Sequence, residues 1–274
     1  MIPADDAFTR FEHSGWERVA TKYEGAWSSL TRQFIPSVLQ AANILPGLRV
    51  LDVACGPGYA AAGAKDLGAD VEGSDFSATM VALASRNFPG IKFHVCSADS
   101  LPFDNHAFDR LIMNFGILHL AQPEKACAEA CRVLKKRGRF CFSLWTPPDH
   151  NEGARIMENA IQAHADLSVG TPVGPPKFLF TDSDRCREVL QTAGFDPTSM
   201  TFDIVTVGWN VPTSHFLFDA ERDAGVRTAG VLALQSPERL EAIRLAVEEG
   251  VKRYAHANGF TIPMTAHIIS ASKS

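Results

Sequence analysis

Three carboxylates follow short apolar runs in the first half of the chain. Asp52 lies in "VLDVACGPGY" (Val50–Tyr59), Asp75 in "VEGSDFS" (Val71–Ser77) and Asp99 in "CSADSLPFDNHAFD" (Cys96–Asp109). Gly56 and Gly58 stand just after Asp52. Glycines where a strand turns into a helix let a ligand approach the backbone, and the helix start offers free N–H groups. Gly56 to Ala61 fits G-x-G-x-x-A, the dinucleotide pattern, which alone discriminates little. The acids say more. Asp75 at a strand end can accept two hydrogen bonds from a ribose diol. Asp99, with Ser100 and Leu101 beside it, can accept from an adenine amino group. Asp52 would repel a pyrophosphate but suits an ammonium or sulfonium charge. Together they favour an adenosine with a cationic amino-acid tail over a dinucleotide.

These acids need elements to hold them. The pattern predicts strands at Arg49–Val53, Asp70–Ser74, Lys92–Cys96, Phe108–Met113 and Arg139–Leu144. Helices are predicted between them at Tyr59–Leu67, Ala78–Asn87 (capped by Ser77) and Pro123–Leu134. Lys135-Lys136-Arg137 then sits at a helix end before Gly138. Alternating strands and helices imply a parallel sheet covered on both faces, with ligands beyond the C-terminal strand ends. Downstream, helices are predicted at Glu152–Leu167, Asp184–Ala193, Ser214–Ala224 and Pro237–Ala257, and strands at Met200–Trp209 and Thr265–Ala271. Trp16–Leu39 reads as a further helix.

Composition narrows the class. The chain has 274 residues, 46% of them hydrophobic, and a formal net charge of −5, so it can bury a sizeable core but offers no broad basic face for nucleic acid. The longest apolar stretch, Leu111–Ala121, is too short for a membrane span and contains Asn114, Gly116 and His119. The N-terminus, acidic and polar, does not read as a signal peptide. The six cysteines show neither C-x-x-C nor zinc spacing, so no metal is expected; Cys127 and Cys131, four apart, read as core filling. The expectation is a soluble, reduced, cytoplasmic protein.

With these motifs in order, the sequence resembles class I S-adenosylmethionine-dependent methyltransferases, the group that includes the ubiquinone/menaquinone-biosynthesis C-methyltransferases. "VLDVACGPGY" is similar to their first motif, with Ala54 where D-x-G-x-G-x-G has its first glycine. "VEGSDFSATMVALA" resembles the second, "CSADSLPFDNHAFDRLIMNFGILHL" the third and fourth, and "EACRVLKKRGRFCFS" and "LQTAGF" the elements that follow. The likeness runs from Tyr23 to Phe195 and adds the final strand. It implies a Rossmann-like α/β fold: a seven-stranded, mostly parallel sheet with helices on both faces and a helical lid. Residues 1–45 would close over the cofactor, 46–150 form the cofactor-binding core, and 151–274 complete the sheet and supply the lid. The implied cofactor is S-adenosylmethionine, with S-adenosylhomocysteine as product. The implied contacts are Tyr23, Asp52, Ala54, Gly56, Gly58, Asp75, Phe76, Ala98, Asp99, Ser100 and Asn114.

The acceptor would be small and partly apolar, methylated at oxygen or carbon by in-line displacement. Asn151–Phe180 and the helices between Trp209 and Phe260 are the natural lid, and no nucleic-acid methylation signature is present. His119 is the candidate base; it equally suits a loop histidine that bonds backbone or caps the next helix. Trp145, Phe178, Phe180, Trp209, Phe216 and Phe218 are candidates for the acceptor pocket and equally readable as core. A nicotinamide-dependent oxidoreductase, which lacks support from any Tyr-x-x-x-Lys pair, and a non-catalytic cofactor-binding protein are the alternatives. Nothing in the sequence fixes the oligomeric state.

Overall fold

Helix and strand alternate through the first 145 residues because the apolar pattern does. A computed structural model of the chain describes residues 6–274. Met1–Asp5, on which the signal-peptide reading largely rests, lie outside the described residues. The strands are β1 (Arg49–Val53), β2 (Asp70–Asp75), β3 (Lys92–Val95), β4 (Phe108–Asn114), β5 (Leu134–Trp145), β6 (Thr201–Val211), β7 (Ala255–His256) and β8 (Gly259–Ser272). The helices are α1 (Ala7–Ala26), α2 (Ser28–Thr31), α3 (Ile35–Ala41), α4 (Tyr59–Asp66), α5 (Ala78–Asn87), α6 (Pro123–Val133), α7 (Glu152–His164), α8 (Ser183–Thr192), α9 (Phe216–Ala224), α10 (Arg227–Leu232) and α11 (Pro237–Lys252).

One sheet runs in the order β3-β2-β1-β4-β5-β8-β6. β1 to β5 are parallel, and β8 runs antiparallel to both β5 and β6. The seven-strand path matches the expectation, and the two-residue β7 adds an eighth strand against β8. The chain reverses its direction of travel across the sheet between β1 and β4, which opens a crevice at the C-terminal ends of those strands.

Side-chain alternation builds a core on each face. Along β4 and β5, Leu111, Met113, Phe140, Phe142 and Leu144 pack with α6 and α8. Ile112 and Cys141 face the other way, with α3, α4, α7 and α11. Cys127, Cys131 and Cys186 fill the α6–α8 layer, and all six cysteines are free. Ser77 caps α5 by accepting from the Met80 N–H at 3.0 Å, as its position predicts.

Two elements differ from the sequence reading. α6 stops at Val133, so the basic cluster is not a helix end. Fully buried Leu134 pairs with Phe108, and Arg110 next pairs with Arg139. Lys135–Gly138 therefore bulge out of the ladder, with Arg137 at φ 60° and the Lys135 ammonium on Asp109 at 2.9 Å. The predicted Trp16–Leu39 helix is three pieces. The first break falls at Trp27, which stacks on Trp209 with ring centroids 5.2 Å apart, and the second is a 3-10 turn at Arg32–Phe34.

Trp209 is fully buried, its indole N–H donates to Ser29 Oγ at 3.2 Å, and Phe216 meets its edge. It ties β6 to the N-terminal helices. Trp209→Ala is expected to lower the unfolding free energy by roughly 3–5 kcal/mol, the usual cost of emptying a large aromatic site. Urea unfolding of the two proteins checks this.

Candidate active site

A single cleft lies over the ends of the parallel strands. It takes Asp52 and Ala54 from the end of β1, Asp75 and Phe76 from β2, Cys96 to Ala98 after β3, Asn114 from β4 and Trp145 from β5. It encloses about 1400 Å³, open solvent at its mouth included. That is room for two small molecules side by side.

The floor is held by two buried carboxylates. Asp75 accepts from the Gly56 N–H on one oxygen and from the Ser77 N–H on the other, both at 2.9 Å. Asp52 accepts from the Ala61 N–H at 2.9 Å and so caps α4 from outside the helix. Its other oxygen is buried without a hydrogen-bond partner, as is one oxygen of Asp99. Burial pushes the Asp52 carboxyl up to about 8, against the pull of the Ala61 amide and with help from the Asp75 charge. Burial likewise raises Asp75 to about 6, offset by its two backbone donors.

The two glycines do different work. Gly56 has φ +49°, and a Cβ there would meet nothing within 4 Å, so it borders open cleft. Gly58 has φ +88°, and a Cβ there would stand 3.0–3.1 Å from Phe93, Ala84 and Phe88. It serves close packing and lies off the cleft wall. Ala54 adopts φ 54°, a left-handed conformation that glycine takes without strain. Gly116 makes room for it, because a Cβ there would come 2.7 Å from the Ala54 Cβ.

α1 crosses the cleft as its outer wall. Trp16 and Tyr23 face in. The Tyr23 hydroxyl donates to Thr31 Oγ1 at 3.2 Å, and burial pushes it up to about 12. Asn114 is likewise engaged, donating to the Thr31 carbonyl at 3.2 Å and accepting from Ser143 Oγ at 2.7 Å. Glu17 holds α1 to the start of α5 through the Thr79 hydroxyl. His119, on the cleft wall, has its Nδ1 3.0 Å from Glu12 Oε2 and its ring edge-on to Trp16, centroids 4.8 Å apart.

A family model described as "Methyltransferase domain" matches residues 51–142. A demethylmenaquinone methyltransferase of Renibacterium salmoninarum is 36% identical over 165 residues, 57% of this chain and 70% of that one. The chain belongs to the class I S-adenosylmethionine-dependent methyltransferases, of the quinone-biosynthesis type. A second demethylmenaquinone methyltransferase, of Paenarthrobacter aurescens, is 33% identical over 53% of this chain and 56% of that one. The fold is that of a Haemonchus contortus phosphoethanolamine N-methyltransferase solved with S-adenosylhomocysteine: the TM-score is 0.56 at 17% identity, over 99% of this chain and 61% of that one.

The methyltransferase cleft gathers Tyr23, Asp52, Ala54, Gly56, Asp75, Phe76, Ala98, Asn114, His119 and Trp145. Other sequence candidates stand elsewhere. Gly58, Asp99 and Ser100 are off the cleft wall, and Ser100 is exposed with its N–H on the Ser97 carbonyl. Phe178, Trp209 and Phe216 do not line the cleft, and Phe180 and Phe218 are buried core. Trp145, in the cleft, stacks on Phe115 at 4.0 Å.

Residues outside that reading join the cleft, four polar ones beside Ala224, Gly225 and Val226. Lys177, Glu221, Arg227 and Thr228 line the lid side, mostly from the α9–α10 junction. Burial raises the carboxyl of half-buried Glu221, against Lys177, the Thr228 hydroxyl and His119. Reading for aromatic residues missed these. Glu12 was missed too, though it carried a signal: a carboxylate on the buried face of α1 that also carries Phe8, Gly15 and Val19. No group of three or more side chains fit to hold a metal occurs among the described residues, and no helix there is long and apolar enough to cross a membrane.

The raised carboxyls fix a pH dependence. An unfolded Asp ionises near 3.9, so between about pH 4 and about pH 8 the folded cofactor-free protein holds an Asp52 proton that the unfolded chain has released. Stability must then fall as pH rises through that window, with Asp75 contributing its lower part, up to about 6. Asp52→Asn, which keeps an oxygen for the Ala61 N–H, is expected to flatten most of that decline. Urea unfolding of both proteins from pH 5 to pH 8 measures it; equal slopes would refute the assignment.

Proposed function

We propose that this methyltransferase methylates a small hydroxylated aromatic acceptor, of the reduced-quinone or phenol class, at carbon or oxygen, with His119 as general base. The observation that carries the reading is the place of His119. It lines the cleft and has one ring nitrogen already held by a carboxylate. The other nitrogen is left for the acceptor.

The residues present fit the cofactor. Asp52 offers a buried, unpartnered oxygen to the ammonium or sulfonium of the methionine tail. Asp75 spends one lone pair per oxygen on backbone and keeps the others for a ribose diol. Ala98 and Phe76 line the cleft where an adenine would lie, with Asp99 behind that wall. Gly56 lets the ligand lie against bare backbone. When bound, the cofactor supplies a methyl group activated on sulfur. Trp16, Trp145 and Phe115 offer flat apolar walls for an aromatic acceptor, and His119 takes the phenolic proton so that electron density rises at the attacking atom. α1 and the α9–α10 junction exclude water. The names of the relatives support a quinone-type acceptor. The charged lid side adds that its head group makes polar contacts.

Two measurements test this. Calorimetric titration with S-adenosylhomocysteine, with NAD as control, should show binding of the first alone. Asp75→Ala should weaken that binding roughly 10²- to 10⁴-fold, the loss of two charge-assisted bonds of roughly 1.5–3 kcal/mol each; undiminished affinity would overturn the site. His119→Asn should slow S-adenosylhomocysteine formation from S-adenosylmethionine and 1,4-naphthohydroquinone by roughly 10²–10⁴-fold, the usual contribution of a general base. Its affinity for S-adenosylhomocysteine should stay within about twofold of the parent. A matching loss of both would make His119 a structural residue.

A further inference from the structure

We infer that Glu12 is the positioning residue of His119: it fixes the proton of the neutral imidazole on Nδ1, so that the base is assembled only when α1 is seated on the cleft. The inference rests on the reading of His119 as the base.

The arrangement is asymmetric. Glu12 is fully buried. Its Oε2 meets His119 Nδ1 at 3.0 Å, and its Oε1 makes no hydrogen bond. The nearest cation, the Arg227 Nε, stands 3.7 Å from Oε1, too far for a hydrogen bond. Arg227 spends its other nitrogens on the carbonyls of Leu118 (3.3 Å) and Pro175 (3.0 Å). It therefore clamps the residue next to His119 while leaving the Glu12 carboxylate directed at the imidazole. Trp16, one helical turn after Glu12, closes the ring from its side. One face of α1 thus supplies both the acceptor for Nδ1–H and the wall that stops the ring from turning.

A staple for α1 would not be built this way. Even with the Arg227 guanidinium 3.7 Å away, a buried carboxylate loses hydration that an apolar residue on the Phe8–Gly15–Val19 face would not. The geometry accounts for that expense by giving the imidazole a direction. A carboxylate only accepts, so the ring nitrogen facing it must donate, and the lone pair is turned to the cleft.

Nitrogen-15 NMR of histidine-labelled protein saturated with S-adenosylhomocysteine reads the tautomer directly, with the His119 signals assigned by their loss in His119→Asn. The expected result is a neutral His119 protonated on Nδ1 in the parent. In Glu12→Leu the signals should move towards the Nε2–H form that free imidazole side chains favour. Turnover of 1,4-naphthohydroquinone should fall roughly 10-fold or more, part of what a general base contributes, with affinity for S-adenosylhomocysteine unchanged within about twofold. Glu12→Gln, which keeps a side-chain oxygen, should recover part of the rate. An Nε2–H tautomer in the parent overturns the inference without any variant. An unmoved tautomer and rate in Glu12→Leu overturn it while leaving His119 as the base. Full activity of His119→Asn removes the base itself, and the inference with it. Added to His119→Asn, Glu12→Leu should slow the enzyme no further, because the two residues act as one unit.

Discussion

Two carboxylates stand buried at the ends of adjacent parallel strands with no Lys or Arg bonded to either. Everything around the cleft depends on how Asp52 and Asp75 are kept there. The backbone does it. The N–H groups of Gly56 and Ser77 hold Asp75, and that of Ala61 holds Asp52. These bonds fix the glycine turn, start α4 and connect β2 to the cap of α5. They also leave acceptor capacity unspent, and a cationic, hydroxyl-rich ligand is what such a floor would stabilise. The same isolation destabilises the ligand-free protein as pH rises.

Above that floor the cleft has two unlike walls. The strand ends and α1 supply aromatic surface: Trp145 on Phe115, with Trp16 and Tyr23 opposite. The α9–α10 junction supplies charge. His119 lines the same cleft, its ring held by Glu12 and Trp16 of α1. The cleft thus sets flat apolar surface against charged side chains. The cleft is covered by α1, held by Glu12, Glu17 and Trp27, and by residues between Glu221 and Thr228.

Much of the fold was legible because the periodicity of the core is local. β1, α4 and α5 fall almost where the pattern places them, since Val50–Val53 are buried throughout and Ser77 caps its helix by a bond three residues long. The basic cluster before Gly138 misled for the opposite reason. Leu134 leaves the helix to pack beside Phe108, a contact 26 residues away in sequence that no local rule sees. Trp209 misled likewise: it looks like a pocket aromatic until Trp27 is found stacked upon it.

The sequence by itself determined the alternation of strand and helix, the turn at Gly56, the acids after three strands and the family they mark. Those features depend on residues adjacent in the chain, or spaced by one strand and one helix. Tertiary structure alone decided which glycine faces the cleft, that Asp52 doubles as a helix cap, and that the lid side is charged. It also decided that Glu12 reaches His119 across 107 residues. A helix face shows that a carboxylate is buried; only packing shows what it is buried against.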